Sequence, residues 1–188
     1  MGFFNNFLNS ESKDQGVVIN GVRWATRNVD IPGKFAVSPE ATGKLYQWNR
    51  KIAWATTGDV TDWNNTVPAG SSWLKSNDPS PSGWRVPTFE ELGKLLDRDK
   101  VTSEWITQNG VTGRKFTDKI SDKFLFLPAV GSRGPDGRFA YEGMFGSYWS
   151  SEMYIDETNA YILLFALPRI DWHTGFLREG LSVRAVAE

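Results

Sequence analysis

Hydrophobic and polar positions alternate over VVINGVRWATRNV (17–29), and the alternation breaks at Asn20-Gly21. Two β-rich runs around Asn-Gly predict a hairpin with a type I′ turn. Residues 30–82 keep no helical period. They carry Trp48, Trp54, Trp63 and Trp73 among turn formers, which predicts short helical turns and ordered loops pinned by tryptophan. WRVPTFEELGKLLDRDK (84–100) predicts a helix. Thr88 stands as N-cap, Glu91 completes a capping box, and Leu92, Leu95 and Leu96 form an apolar stripe. Lys94, Arg98 and Lys100 lie late, where they complement the helix dipole.

The segment 123–151 reads as a strand, a glycine-rich loop with a type I turn at GPDG (134–137), and another short strand. AYILLFA (160–166) reads as a buried strand. In LSVRAV (181–186) Leu181, Val183 and Ala185 share one face. The flanks of AYILLFA are less regular. EMYIDETN (152–159) and LPRIDWHTGF (167–176) mix large apolar and aromatic residues with charges and turn formers, and read as loops. Several short strands and few helices predict an α+β domain over 17–188, with a mainly antiparallel sheet, about two helices and long ordered loops. No repeat of 20–50 residues is present. Residues 1–16 read as a separate N-terminal segment. Phe3, Phe4, Phe7 and Leu8 could share a helix face for self-association, or the segment could be a frayed end.

Composition narrows the function classes. The 188 residues are 40% hydrophobic and include nine Trp, enough for a core without staples. Net charge is −1, from 21 basic and 22 acidic residues, so neither nucleic acid nor an anionic membrane is an expected partner. No apolar run suits membrane insertion. The absence of Cys removes disulfides, thiolate catalysis and cysteine zinc sites. No usual signal peptide and no myristoylation pattern are visible at the N-terminus.

Reaction chemistry finds little support. His173 is the single histidine, and Ser150 and Ser151 lack a G-x-S-x-G setting. Asp156, Glu157 and Asp171 could offer oxygen ligands to calcium, but no D-x-D-x-D-G run exists, so no cofactor is expected. GSRGPDG lacks the Lys-Ser/Thr of a phosphate loop. Asp62 and Asp78 are ordinary turn residues. A binding surface is better supported. Tyr154, Asn159, Arg169, Trp172 and His173 combine rigid aromatic anchors with adaptable polar groups.

GVRWATRNV (21–29), GKLYQWNRK (43–51), SGWRVPTFEEL (82–92), FLPAVGSR (126–133), YWSSE (148–152), AYILLF (160–165) and GLSVRAV (180–186) occur in this order. Together they resemble the Fibrobacter succinogenes major paralogous domain family, over roughly residues 17–188. The resemblance implies a C-type-lectin-like fold. Relatives of that kind often carry Cys where this chain has Pro79 or Ser80, and Ala185. The family also serves as the variable protein of diversity-generating retroelements, in gut Bacteroidetes and their phages. On that pattern Trp149, Ser150, Ser151, Ala160, Tyr161, Leu163, Phe165, Gly180, Ser182, Val183 and Arg184 are framework. The diversified positions fall in 153–159 and 166–178.

The resemblance therefore implies a ligand-binding display domain and no enzyme. Its binding face would be Tyr154, Ile155, Asp156, Thr158, Asn159, Leu167, Arg169, Ile170, Asp171, Trp172 and His173. The partner would be a protein or glycan on a target cell, and the setting a phage tail tip or a bacterial surface. The calcium-binding Glu-Pro-Asn and Trp-Asn-Asp tripeptides of sugar-binding lectins are missing. The formylglycine-generating sulfatase modifier shares the fold type, but its activity needs cysteines. The alternative from another class is a structural or assembly domain that buries the same aromatics against a partner subunit.

Overall fold

A computed structural model describes residues 13–188. The Phe3–Leu8 stripe lies outside these residues. The strands, in chain order, are β1 (Val17–Ile19), β2 (Val22–Trp24), β3 (Leu45–Tyr46), β4 (Trp84–Arg85), β5 (Val101–Gln108), β6 (Val111–Asp118) and β7 (Phe124–Pro128). They continue with β8 (Ser132–Arg133), β9 (Phe139–Ala140), β10 (Phe145–Met153), β11 (Asn159–Ala166), β12 (Ile170–Phe176), β13 (Leu181–Ser182) and β14 (Val186–Ala187). The helix α1 is Phe89–Lys94.

The fold is mostly β, and its pairings are antiparallel except at β10–β13 and one parallel bridge, Gly131 with Gly146. The expectation of about two helices is corrected. Among the described residues α1 is the one α-helix, and Lys75–Asn77 forms a single 3-10 turn. The middle segment is too broken by Gly, Pro and Asn, and too poor in apolar stripes, to propagate a helix. Its tryptophans do pin it. Trp48 is buried and donates its indole N–H to Ser150 O at 3.0 Å. Trp73 is buried and donates to Asn77 O at 3.0 Å.

Local signals hold where they are self-contained. Asn20 and Gly21 both have positive φ, as a type I′ turn requires, and β1 pairs β2 around them. The capping box forms: Glu91 N–H donates to Thr88 Oγ1 at 3.2 Å, and Thr88 N–H donates to Glu91 Oε2 at 2.8 Å. The helix is shorter than its leucine stripe. Leu95 and Leu96 donate to the carbonyls of Leu92 and Gly93, three residues back, so the last turn tightens to 3-10. Order begins before residue 17. The buried Asp14 carboxylate accepts from Gly16 N–H, Thr26 N–H and Thr26 Oγ1, and pairs Arg27.

The central sheet runs β12-β11-β10-β13-β3. Successive strand residues face opposite sides. Tyr148, Leu163 and Phe165 therefore enter one core with Leu92, Leu95 and Phe116. Trp149, Ala160 and Ile162 enter a second core with Trp48, Trp73 and Leu181. The middle of this sheet is buried on both faces. The predicted one-sided alternation of 181–186 is corrected for the same reason: Ser182, Arg184 and Val186 are buried too. Arg184 donates to Asn28 Oδ1 and Ala25 O, and burial pushes its guanidinium down to about 10.

Candidate functional site

The segment 167–176 is largely a strand, not a loop. Ile170–Phe176 forms β12, which pairs the whole length of β11 and lies at the edge of the sheet. The charges that disguised it sit at Asp171 and His173, on positions where an edge strand meets water. EMYIDETN supplies the end of β10 and the turn into β11. Tyr154 N–H donates to Asn159 O at 2.8 Å, and Glu157 takes a positive φ of 58°.

This topology divides the expected face. The turns at 154–158 and 167–169 lie at opposite ends of β11. That strand has eight residues, or about 23 Å at the usual rise. Alternation along β12 divides it again. Ile170 and Trp172 stand opposite Phe165 and Leu163, on the α1 side. Asp171 and His173 stand opposite Leu164 and Ile162, on the other side. The eleven residues do not form one continuous surface.

What does come together is aromatic. Tyr161, the first half-exposed aromatic of β11, stacks on Phe89 with centroids 4.1 Å apart and planes at 25°. Tyr154 meets Tyr161 edge-on at 5.2 Å. Trp172 packs against Tyr161 at 6.0 Å and against Phe89 at 5.8 Å. Trp172 keeps 48% of its surface exposed. Edge-to-face and offset contacts at these distances suit the ring quadrupoles and fix each ring's orientation. Phe89 is the first residue of α1, and the Thr88 cap holds it over the sheet.

The remaining expected residues take different parts. Ile155 and Leu167 project at the two turns, 86% and 69% exposed. Asp156 accepts the N–H groups of Thr158 and Asn159 and the Asn159 Nδ2 amide, and that amide also donates to Thr158 Oγ1, so these three side chains hold their own turn. Those donors pull the Asp156 carboxyl below its ordinary value. Ile170 is half-buried against the first core. His173 is exposed, with Nδ1 3.0 Å from Thr174 O. Nearby, burial pushes the Glu179 carboxyl up. Arg169 is exposed at the β11–β12 turn.

No pattern in the sequence marks Phe89 for this site, and the family resemblance makes Tyr161 framework alone. Phe89 lies more than sixty residues upstream of its partners, and only the fold joins them. Among the described residues no group of three or more His, Asp or Glu side chains could hold a metal ion. No helix among them is long and apolar enough to cross a membrane. No family model, curated protein or solved structure matches the chain.

Proposed function

We propose that this chain is a ligand-binding display domain with a C-type-lectin-like frame, of the kind diversified by a retroelement. The observation that carries the reading is the half-exposed cluster of Phe89, Tyr154, Tyr161 and Trp172 on a sheet whose middle is buried on both faces. Rigid aromatics give binding area at low cost in conformational entropy. The motif order described above supports the family part of the proposal. So does the burial pattern. Of the framework residues, Trp149, Ser150, Ala160, Leu163, Phe165, Gly180, Ser182, Val183 and Arg184 are buried and Ser151 and Tyr161 half-buried, while residues 155–158, 167–169 and 171–173 are exposed. Gly175 and Leu177 fall in the replaceable stretch but are buried. They belong with the frame.

The binding face is therefore narrower than the sequence implied. It centres on Tyr154 and Trp172, with Tyr161 and Phe89 as their supports. The target is a protein or glycan on a cell surface, met by a phage tail tip or by another bacterium. Labelled full-length chain on a panel of intact bacterial cells, compared with Tyr154→Ala and Trp172→Ala, tests this. Folded variants that still bind as the parent does would sink the face. The DNA downstream of the gene tests the retroelement. It should carry a near-copy of the 3′ codons differing chiefly at adenines, beside a reverse transcriptase.

The assembly reading keeps one specific support. β12 is an edge strand, and Trp172 and Phe176 are both about half exposed on it. A fixed oligomer lost in Trp172→Asp, measured by mass in solution, would favour that reading.

A further inference from the structure

A cleft of about 620 Å³ opens between the β5–β6 hairpin and the β11–β12 turn. Its walls include Arg98, Ser103, Arg114, Arg169, Ile170 and Asp171. Arg114 is the unusual member. It is 7% exposed, yet no carboxylate of the described residues pairs with it. Its Nη2 donates to Ser103 Oγ at 3.2 Å, its Nη1 reaches Arg169 O at a long 3.5 Å, and its buried Nε–H has no partner among the described residues.

A guanidinium carries five N–H donors, and burying it half-used is costly. Burial pushes Arg114 below its ordinary value, with no acid to offset the effect. Arg98 and Arg169 add two exposed guanidiniums on the same walls. The single acid there, Asp171, turns its Oδ1 onto Trp172 N–H at 2.8 Å. The cleft thus holds three cations against one carboxylate. A smaller recess of about 230 Å³ shares Arg98, Val101, Ser103, Ile170 and Asp171 with it and adds Leu95 and Leu96. The apolar side chains of Pro168 and Ile170 on walls that also carry guanidiniums suit a ring that is apolar on one face and carries a planar or tetrahedral oxyanion. The volume fits a small ligand.

We propose that this cleft binds an acidic sugar, with Arg98, Arg114 and Arg169 holding its carboxylate or sulfate and the Ile170 wall taking its ring. The cleft goes beyond the aromatic face, and none of the four clustered rings lines it. Isothermal titration of the full chain with N-acetylneuraminic acid, galactose 6-sulfate, neutral galactose and inorganic sulfate tests it. At least one acidic sugar should bind and galactose should not. Arg98→Ala and Arg169→Ala, both at exposed positions, should each weaken that binding about tenfold, the usual loss for a charge-assisted hydrogen bond. Trp172→Ala should keep it, which separates this cleft from the display face. Several outcomes would overturn the proposal: no acidic sugar bound up to about 10 mM, galactose bound equally well, sulfate bound but neither sugar, an oligonucleotide displacing the sugars, or both arginine variants binding as the parent does.

Discussion

The indole of Trp172 stands edge-on to the ring of Phe89, with centroids 5.8 Å apart and planes at 84°. An edge strand and a helix start are joined there through one exposed side chain. Removing the indole removes area that a partner would cover, but little that the core needs. Trp172→Ala should therefore lower stability by about 1 kcal/mol. It should weaken cell binding by about 2 kcal/mol or more. Thermal melts and cell-binding titrations of the same preparation check both values.

Thr88 orients Phe89 through the capping box. Thr88→Ala should cost about 1 kcal/mol. It should also loosen the Phe89–Tyr161 stack, read as a chemical-shift change at Tyr161 larger than at the distant Tyr46. A stack unmoved in Thr88→Ala would show that the sheet alone positions Phe89.

Arg133 is buried and donates to four carbonyls: Ala55 O at 2.7 Å, Gly137 O at 2.6 Å, Gly58 O at 2.8 Å and Thr57 O at 3.2 Å. It ties the tryptophan-rich loop to the β8–β9 turn. Arg133→Ala leaves these acceptors without a donor, so denaturant unfolding should show a loss of about 3 kcal/mol or more. Arg133→Lys should recover only part, because one ammonium cannot reach a fork of carbonyls.

Asp118 links the β6–β7 turn to the β1–β2 turn. Its carboxylate accepts from the N–H groups of Asn20, Ser121 and Ile120 and from the Ser121 hydroxyl. These donors push it down to about 2, from an ordinary 3.8. A depressed acid contributes stability that is full above its unfolded value and fades as pH falls through its folded one. The parent should lose stability between pH 4 and 2 partly through this group. Asp118→Asn should be less stable than the parent at pH 7 and show a shallower loss over that window.

The legible parts of this fold were those decided by neighbours in the chain. Asn20-Gly21 and Thr88-x-x-Glu91 each carry their own geometry, and both form. The β5–β6 hairpin turns on Asn109-Gly110, with φ of 49° and 84°, and carried the same signal unread. β12 resisted reading for a different reason. Its outward positions face water on an edge, so Asp171 and His173 broke a pattern that the inward positions keep. Long-range features were not legible at all. Nothing near Arg114, Arg133 or Arg184 in sequence shows that each is buried among carbonyls or hydroxyls from elsewhere. Phe89 joins the aromatic face only because α1 crosses β11.

The order of the central sheet also bears on quality control. β13 sits between β10 and β3, and β14 pairs with both β2 and β4. A chain that stops anywhere in residues 153–178 lacks both strands, and with them the closure of two sheets. Such a product should fail to fold and be cleared by proteases. A frameshift or stop codon arising there would then be removed by unfolding alone.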